Sequence, residues 1–344
     1  MGNNSRPVPI MKRLIINFVL ILADCLGLNR LFRRWNSDKI RILMYHGVSD
    51  DKLPSFYWTL LGRDKFLQQM DYVKRKYNVV SPEFLYKEGN SAPNKVVITF
   101  DDGLLNNHTV VLPILKSYEM RAICFVLPLL SEKNDLMWTD KLYAVLMSCR
   151  PGDLDFTNFG LGKIEIGSDL DRRADTVKNL QNQLKAVPHS RRTDVLNNIF
   201  NKFDLLEGED YAAFRLMNRD LIKELAQTDQ YFIGAHTNSH PILSTMTPDE
   251  QEKEIRSGMD KLAEWGIESV PVFAYPNGRA DDFNNETVAL LKKYDFKAAL
   301  TTIDGLYDPS DDKFRIKRIN IGADTGKWEF RARLSGFFYF LQGR

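Results

Sequence analysis

Short apolar runs recur along the chain, each ending in polar residues and followed by a stretch with apolar positions three and four apart. The clearest is Val96-Val97-Ile98-Thr99-Phe100, continuous rather than alternating, which predicts a strand buried on both faces. Similar runs predict strands at 40–45, 122–127, 232–235, 272–275, 297–301 and 314–321, with a brief one at Val79-Val80. Between them, helical spacing covers 63–77, 108–118 (Val111, Leu112 and Leu115 on one face) and 286–294. Thr247-Pro248-Asp249-Glu250 predicts a helix start, with threonine cap, proline in the first turn and Glu250 closing a capping box. That helix runs to Trp265 and stops at Gly266. Strands alternating with helices, and polar residues at strand ends, argue for parallel β/α units. A barrel would gather those ends on one rim, although an open doubly wound sheet fits the same alternation. Residues 131–228 break the pattern: they are charged and mostly helical, with a glycine-rich piece at Phe159-Gly160-Leu161-Gly162, and read as an insertion or lid.

Two strand ends carry the chemistry. The 96–100 run drives into Asp101-Asp102-Gly103. Buried carboxylates cost several kcal/mol, roughly, unless a cation or hydrogen bonds compensate them, so the pair belongs at the strand's carboxyl end. Neighbouring strand residues point to opposite sides, but a turn at Gly103 lets both reach one pocket. Downstream, Phe232-Ile233-Gly234-Ala235 runs into His236-Thr237-Asn238-Ser239-His240-Pro241. On a helical turn the i, i+4 spacing puts both imidazoles on one face, and Pro241 keeps such a turn short. Alone, the histidine pair is weak and reads equally as two surface side chains. Together with a strand-end Asp-Asp it points to a metal. One Asp and two His leave coordination positions open, which marks a catalytic rather than a structural site. The three cysteines (Cys25, Cys124, Cys149) lack CxxC spacing, so any metal is held by His and Asp.

The two ends differ from the middle. Lys12 and Arg13 precede an apolar stretch over 14–23 broken by Asn17, and Leu26, Leu28, Leu31, Phe32 and Trp35 then alternate with Arg30, Arg33 and Arg34. The stretch is too short and polar for a ~20-residue span. Residues 1–38 read as a basic amphipathic segment, lying on a membrane or covering the barrel bottom. The same features fit a membrane-associated or cytoplasmic protein, or an exported one that keeps the segment as an anchor. Residues 326–344 read as a C-terminal aromatic helix. The formal net charge of +2, with both signs interspersed, gives no nucleic-acid footprint. Nothing in the sequence fixes an oligomeric state.

The stretches TFDDG (Thr99 to Gly103), HTNSH (His236 to His240) and FAYPNG (Phe273 to Gly278) resemble the polysaccharide deacetylase, or NodB-homology, family of carbohydrate esterases. The resemblance runs in order over about residues 40–322 and implies a 39–325 domain with a distorted (β/α) barrel and the 131–228 insertion. It implies one divalent transition metal, Zn2+, held by Asp102, His236 and His240, with Asp101 as general base. Tyr275 would offer its backbone N–H to the oxyanion, and Tyr275 and Asn277 would touch substrate. Many members carry an acid histidine near the C-terminus, but no histidine follows His240 here. Met44-Tyr45-His46-Gly47 instead resembles the poly-N-acetylglucosamine deacetylases, whose acid histidine lies N-terminal, so His46 takes that role. His108 and His189 read as structural. The third motif departs from the family pattern: Ala274 stands for an arginine that orients the base, and Asn277 for an aromatic. Arg318 is the candidate replacement for that arginine, and Tyr57, Trp58, Trp138 and Tyr275 are candidate sugar-stacking side chains. The implied activity is removal of N-acetyl groups from amino sugars of a polysaccharide or glycolipid. Two alternatives stand beside it: another metal-dependent amidohydrolase, acting on a cyclic amide or N-formyl sugar, and a non-catalytic carbohydrate-binding relative. The intact Asp101, Asp102, His236 and His240 oppose the last.

Overall fold

The computed structural model describes residues 10–50, 57–87, 92–202 and 209–343. Residues 1–9 of the N-terminal segment therefore lie outside the described residues. Eight parallel strands form one sheet: β1 (Arg41–Tyr45), β2 (Asn78–Val79), β3 (Lys95–Phe100), β4 (Ala122–Val126), β5 (Tyr231–Ala235), β6 (Val272–Ala274), β7 (Ala298–Asp304) and β8 (Ile316–Asn320). Their order is β1-β8-β7-β6-β5-β4-β3-β2, and β1 also pairs with β3 from Arg41↔Val96 to Tyr45↔Phe100. That pairing closes a barrel and rules out the open sheet. β2 is an appendage on the first residues of β3.

The continuous apolar runs follow from closure. Alternate residues of each strand serve two cores: Ile42, Val97, Ile123, Val272, Ala298 and Ile316 pack together, whereas Leu43, Val96, Ile98 and Cys124 join the cluster under the surrounding helices. Period two then places Thr99 and Asp101 on the side of Val97, and Arg318 and Asn320 on the side of Ile316. The polar rim is thus aimed by the same alternation that builds the core.

The capping box predicted at Thr247 is present, and its helix runs Pro248–Glu264. The 108–118 helix instead opens as a π-helical turn, Asn107–Val111, before Leu112–Tyr118. The insertion joins β4 to β5, which are themselves paired neighbours. It holds helices Trp138–Ser148, Leu170–Lys185 and His189–Lys202, and its glycine-rich piece turns an antiparallel hairpin, Gly152–Phe156 with Gly162–Ile166. Its helices close on their own apolar cluster, including Leu142, Leu146, Val177, Leu180 and Phe214. The barrel layer resumes earlier than residue 228, because Ile222 and Leu225 of helix Arg219–Ala226 already belong to the main core.

The C-terminal aromatic stretch is two helices, Lys327–Ser335 and Phe337–Leu341, because Gly336 takes a φ of 92° between them. Leu20, Ala23 and Phe32 of the N-terminal helices (Ile10–Cys25 and Leu28–Trp35) dock on Ala332 and Phe337. Among the described residues no single helix is long and apolar enough to cross a membrane. The pair Leu14–Cys25 and Leu28–Trp35, bent by 77°, reaches that length and composition only together.

Candidate active site

At the end of β3, the Asp101 N–H still donates to the Tyr45 carbonyl (2.9 Å), so Asp101 keeps strand geometry. Asp102 and Gly103 then take φ of 75° and 72°. Two left-handed residues in succession swing Asp102 over the rim, at a cost of roughly 1–2 kcal/mol for the non-glycine member. Both carboxylates thereby reach the same side, as the Gly103 turn predicted.

The histidine loop departs from expectation. Residues 236–240 form no helical turn; Thr237 and His240 have φ of 67° and 61°, and the chain folds back on itself. The two imidazoles still meet, with ring centroids 4.8 Å apart. Side chains hold this fold in place of helical hydrogen bonds. The Thr237 hydroxyl accepts from the His240 N–H (3.0 Å), and the Glu254 carboxylate accepts from the N–H groups of Asn238 and Ser239 and from the Ser239 hydroxyl (3.1, 3.0 and 2.8 Å). One turn after Glu254, Gly258 lets the loop lie on the helix: a Cβ there would stand 2.9 Å from the Thr237 carbonyl oxygen. Gly258→Ala is therefore expected to displace the loop and weaken metal retention at least tenfold, read by titration with a zinc-competing dye. Retention equal to the parent chain would show that the loop tolerates the shift.

Asp102, His236 and His240 are all buried, and their ligand atoms lie within 4.8 Å of one another. The Nε2 atoms of His236 and His240 stand 3.4 and 3.5 Å from Asp102 Oδ1. His236 Nδ1 is 2.6 Å from the Ala274 carbonyl, which can only accept, so the proton of the neutral ring sits there. Its Nε2 lone pair then faces a carboxylate oxygen. Two acceptors in contact call for a cation between them, and this donor set fits a divalent metal. Burial pushes His240 down to about 3. Burial would raise Asp102, but the histidines around it hold its carboxyl well below the usual range.

Beside this cluster, Arg318 grips Asp101 in a two-point ion pair, Nη1 to Oδ1 at 2.8 Å and Nη2 to Oδ2 at 2.7 Å. Arg318 is fully buried, and its Nε donates to the Thr301 carbonyl (2.7 Å). Burial raises the Asp101 carboxyl, yet the guanidinium overrides it and keeps the group ionised. The arginine that holds this carboxylate therefore comes from β8. His46, just past β1, places Nε2 3.9 Å from Asp102 Oδ2, and its buried Nδ1 has no partner among the described residues.

A family model described as polysaccharide deacetylase matches residues 88–299. The chain belongs to the polysaccharide deacetylase family. No curated protein matches it. Among solved structures it is similar to the deacetylase PplD of Streptococcus pyogenes in complex with acetate, at 21% identity and TM-score 0.57, covering 87% of this chain and 99% of that one. It is also similar to IcaB from Ammonifex degensii (19%, TM-score 0.53, covering 87% and 97%). A de-N-acetylase from Aggregatibacter actinomycetemcomitans matches at 17% and TM-score 0.53, covering 86% and 100%. At these identities the likeness is one of fold. His46 and Arg318 both lie outside the matched span of the deacetylase model.

In this family member the candidate site opens into a cavity of about 260 Å3 lined by His46, Asp101, Asp102, His236 and His240. Asn277 lines it with a φ of 56° and a buried Nδ2 that has no partner among the described residues. Tyr275 also lines the cavity, but its backbone N–H is engaged elsewhere. Its N–H is bound to the Leu300 carbonyl (3.1 Å), its hydroxyl donates to the Phe314 carbonyl (3.0 Å), and its ring stacks on Phe283 at 3.9 Å. The strand ladder has claimed the N–H expected to face the oxyanion, while the residue still lines the cavity. Of the aromatic candidates, Trp58 is 44% exposed, edge-on to His46 at 5.1 Å, and lines the cavity. Tyr57 also lines it but donates its hydroxyl to Asp140 (2.6 Å), and Trp138 is covered by Arg192. His108 pairs with Glu224 and His189 with Arg192, away from the cavity. Sequence reading missed Asp140, Lys185 and Arg279 on the cavity wall, and Glu254 with Gly258 behind the loop. Only the last pair had a signal, a shared helix face at i, i+4.

Proposed function

We propose that this chain is a metal-dependent N-deacetylase that removes acetyl groups from amino sugars of a polysaccharide or glycolipid. One observation carries the reading: the Asp102, His236 and His240 cluster shares a cavity with an arginine-held carboxylate and a free imidazole. A bound Zn2+-type ion would polarise the acetyl carbonyl and activate water. Asp101, kept ionised by Arg318, accepts the water's proton through lone pairs that the guanidinium leaves free. His46 gives a proton to the departing sugar amine. Asn277 offers its Nδ2 hydrogens to a substrate oxygen, and Trp58 gives a sugar ring a face. The test is acetate release from a panel of N-acetylated glycans, with and without chelator. Release that disappears with chelator and returns with added Zn2+ supports the reading. No release from any N-acetylated glycan under any metal refutes it.

The metal assignment has its own check. Asp102→Ala, His236→Ala and His240→Ala are each expected to reduce bound transition metal from one per chain to a small fraction, read by elemental analysis. Stoichiometric metal in the double histidine variant would remove this set as the site.

The N-terminal helix pair leaves Leu14, Phe18, Leu26, Leu31 and Trp35 exposed near Arg30, Arg33 and Arg34. We infer that this face rests on an anionic membrane surface, as its amphipathic composition favours. Flotation with phosphatidylglycerol vesicles, lost on Phe18→Asp with Leu31→Asp, checks it; binding equal to the parent's would discount it.

A further inference from the structure

The cavity has a second wall that the deacetylation chemistry leaves unused. Lys185 closes the insertion helix Leu170–Lys185, and Arg279 follows the FAYPNG stretch; both line the cavity that holds Asp101 and His240. Neither side chain makes a hydrogen bond or ion pair among the described residues, whereas Lys141, Lys293, Lys317 and Arg333 each pair with a carboxylate. A third cation, Arg192 of helix His189–Lys202, is 2% exposed, with Nη1 buried and without a partner. Lys185 feels both arginines as like charges.

The opposing charge on this wall is thin. Asp282 accepts the backbone N–H of Arg279 (2.9 Å) rather than its guanidinium. Asp140 is buried and already takes the Tyr57 hydroxyl at 2.6 Å, and burial lifts its carboxyl to about 7. Burial, then Arg279, drives Lys185 down to about 8, where it still carries its proton at neutral pH. Asp282 and Asp140 offset part of the repulsion at Lys185 without a hydrogen bond to it, and like charges lining one cavity with no hydrogen-bonded carboxylate are costly in the free protein. An anion arriving there relieves that repulsion and gains charge-assisted hydrogen bonds from both heads.

We infer that the Lys185 and Arg279 wall binds an anionic substituent, a phosphate or carboxylate, on the N-acetylated sugar whose acetyl group sits over the Asp102, His236 and His240 cluster. This rests on the deacetylase reading above and narrows it: the substrate is an acidic amino sugar or one attached through a phosphate, rather than a neutral homopolymer. The insertion supplies Lys185, Asp140 and Gln181 to the cavity, so selectivity for charge comes from the segment added to the barrel.

Two measurements on the full zinc-loaded chain test it. The first is isothermal titration with N-acetylglucosamine 1-phosphate, with an N-acetylhexosaminuronate and with neutral N-acetylglucosamine. The anionic ligands are expected to bind about 10- to 100-fold tighter than the neutral sugar, the range of one or two charge-assisted hydrogen bonds. The advantage falls to about onefold in Lys185→Met with Arg279→Met and returns in part in Lys185→Arg. Whichever anionic sugar binds tighter identifies the source of the charge. The second is the kcat/KM ratio of acetate release from phosphate-bearing and neutral N-acetylated oligosaccharides, expected to collapse in the same double variant, with metal content and circular dichroism verifying the fold. Equal affinity for charged and neutral sugars, or a preference that survives the double substitution, overturns the inference even where neutral glycans are deacetylated. Selective anion binding with no acetate released from any glycan leaves this wall intact and refutes the deacetylase reading instead.

Discussion

Asp101→Asn is expected to keep its metal and lose ~10²–10⁴-fold in kcat, the usual loss when a general base is removed. The expectation follows from which contacts Asp101 makes and which it lacks. Its two oxygens are engaged by Arg318, whereas the three atoms that converge as ligands belong to Asp102, His236 and His240. Asparagine keeps the shape and one acceptor, so the ligand cluster has no reason to move. The change does turn an amide NH2 toward guanidinium N–H groups, leaving a buried donor unmatched at a cost of roughly 1–3 kcal/mol. A lower Tm is therefore expected as well, and rates are compared below the onset of unfolding. Arg318→Met produces the mirror result: an intact carboxylate without its partner, a raised pKa, and an acid limb of the pH–rate profile displaced to higher pH. Metal lost together with activity in Asp101→Asn would make Asp101 a ligand and reverse the assignment of the two carboxylates.

These variants mark how far a sequence alone leads into this fold. The continuous run at 96–100 announced a strand buried on both sides, and the two cores fed by Val97 and by Val96 with Ile98 are its reason. Closure of the barrel was legible only through the family resemblance, because it rests on β1 pairing with β3 at residues that any parallel sheet would also use. The convergence of Asp102, His236 and His240 was legible because Asp and His at strand ends are chemically conspicuous. Their backbone was not: the i, i+4 histidines suggested a helical turn, and left-handed Thr237 and His240 make a folded-back loop instead. Spacing within the loop cannot see Glu254 and Gly258, one turn apart on the α-helix that follows it, that hold this loop in place. Arg318 was reachable through period two, since Ile316 faces the barrel interior and Arg318 follows it on the same side. The engagement of the Tyr275 N–H was hidden for a related reason: a motif states which residue is present, while the ladder decides whether its N–H is free. The cationic wall was hidden because Lys185 and Arg279 meet only after the insertion has folded over the rim.

His46→Ala is expected to fold, to keep its metal and to lose at least ~10²-fold in kcat on N-acetylated sugars, the scale of a lost acid catalyst. A sugar amine leaves poorly as an anion, so collapse of the tetrahedral intermediate requires a proton at nitrogen. Among the described residues, the cavity holds three histidines, and two of them converge on Asp102 as ligands. His46 stands apart from them, 3.9 Å from Asp102 Oδ2, with an unpartnered Nδ1 and Trp58 against its ring. Burial lowers its pKa and Asp102 opposes that shift, so the protonated form is lost at a lower pH than that of a free imidazole. A structural role would weaken every substrate alike. An acid role depends on the leaving group: p-nitrophenolate departs without a proton, so the same variant should hydrolyse p-nitrophenyl acetate within severalfold of the parent rate while failing on the amide. Equal losses on ester and amide would point to damaged geometry, and a near-normal amide rate would pass the proton to Asp101, which would then return to the amine what it took from water.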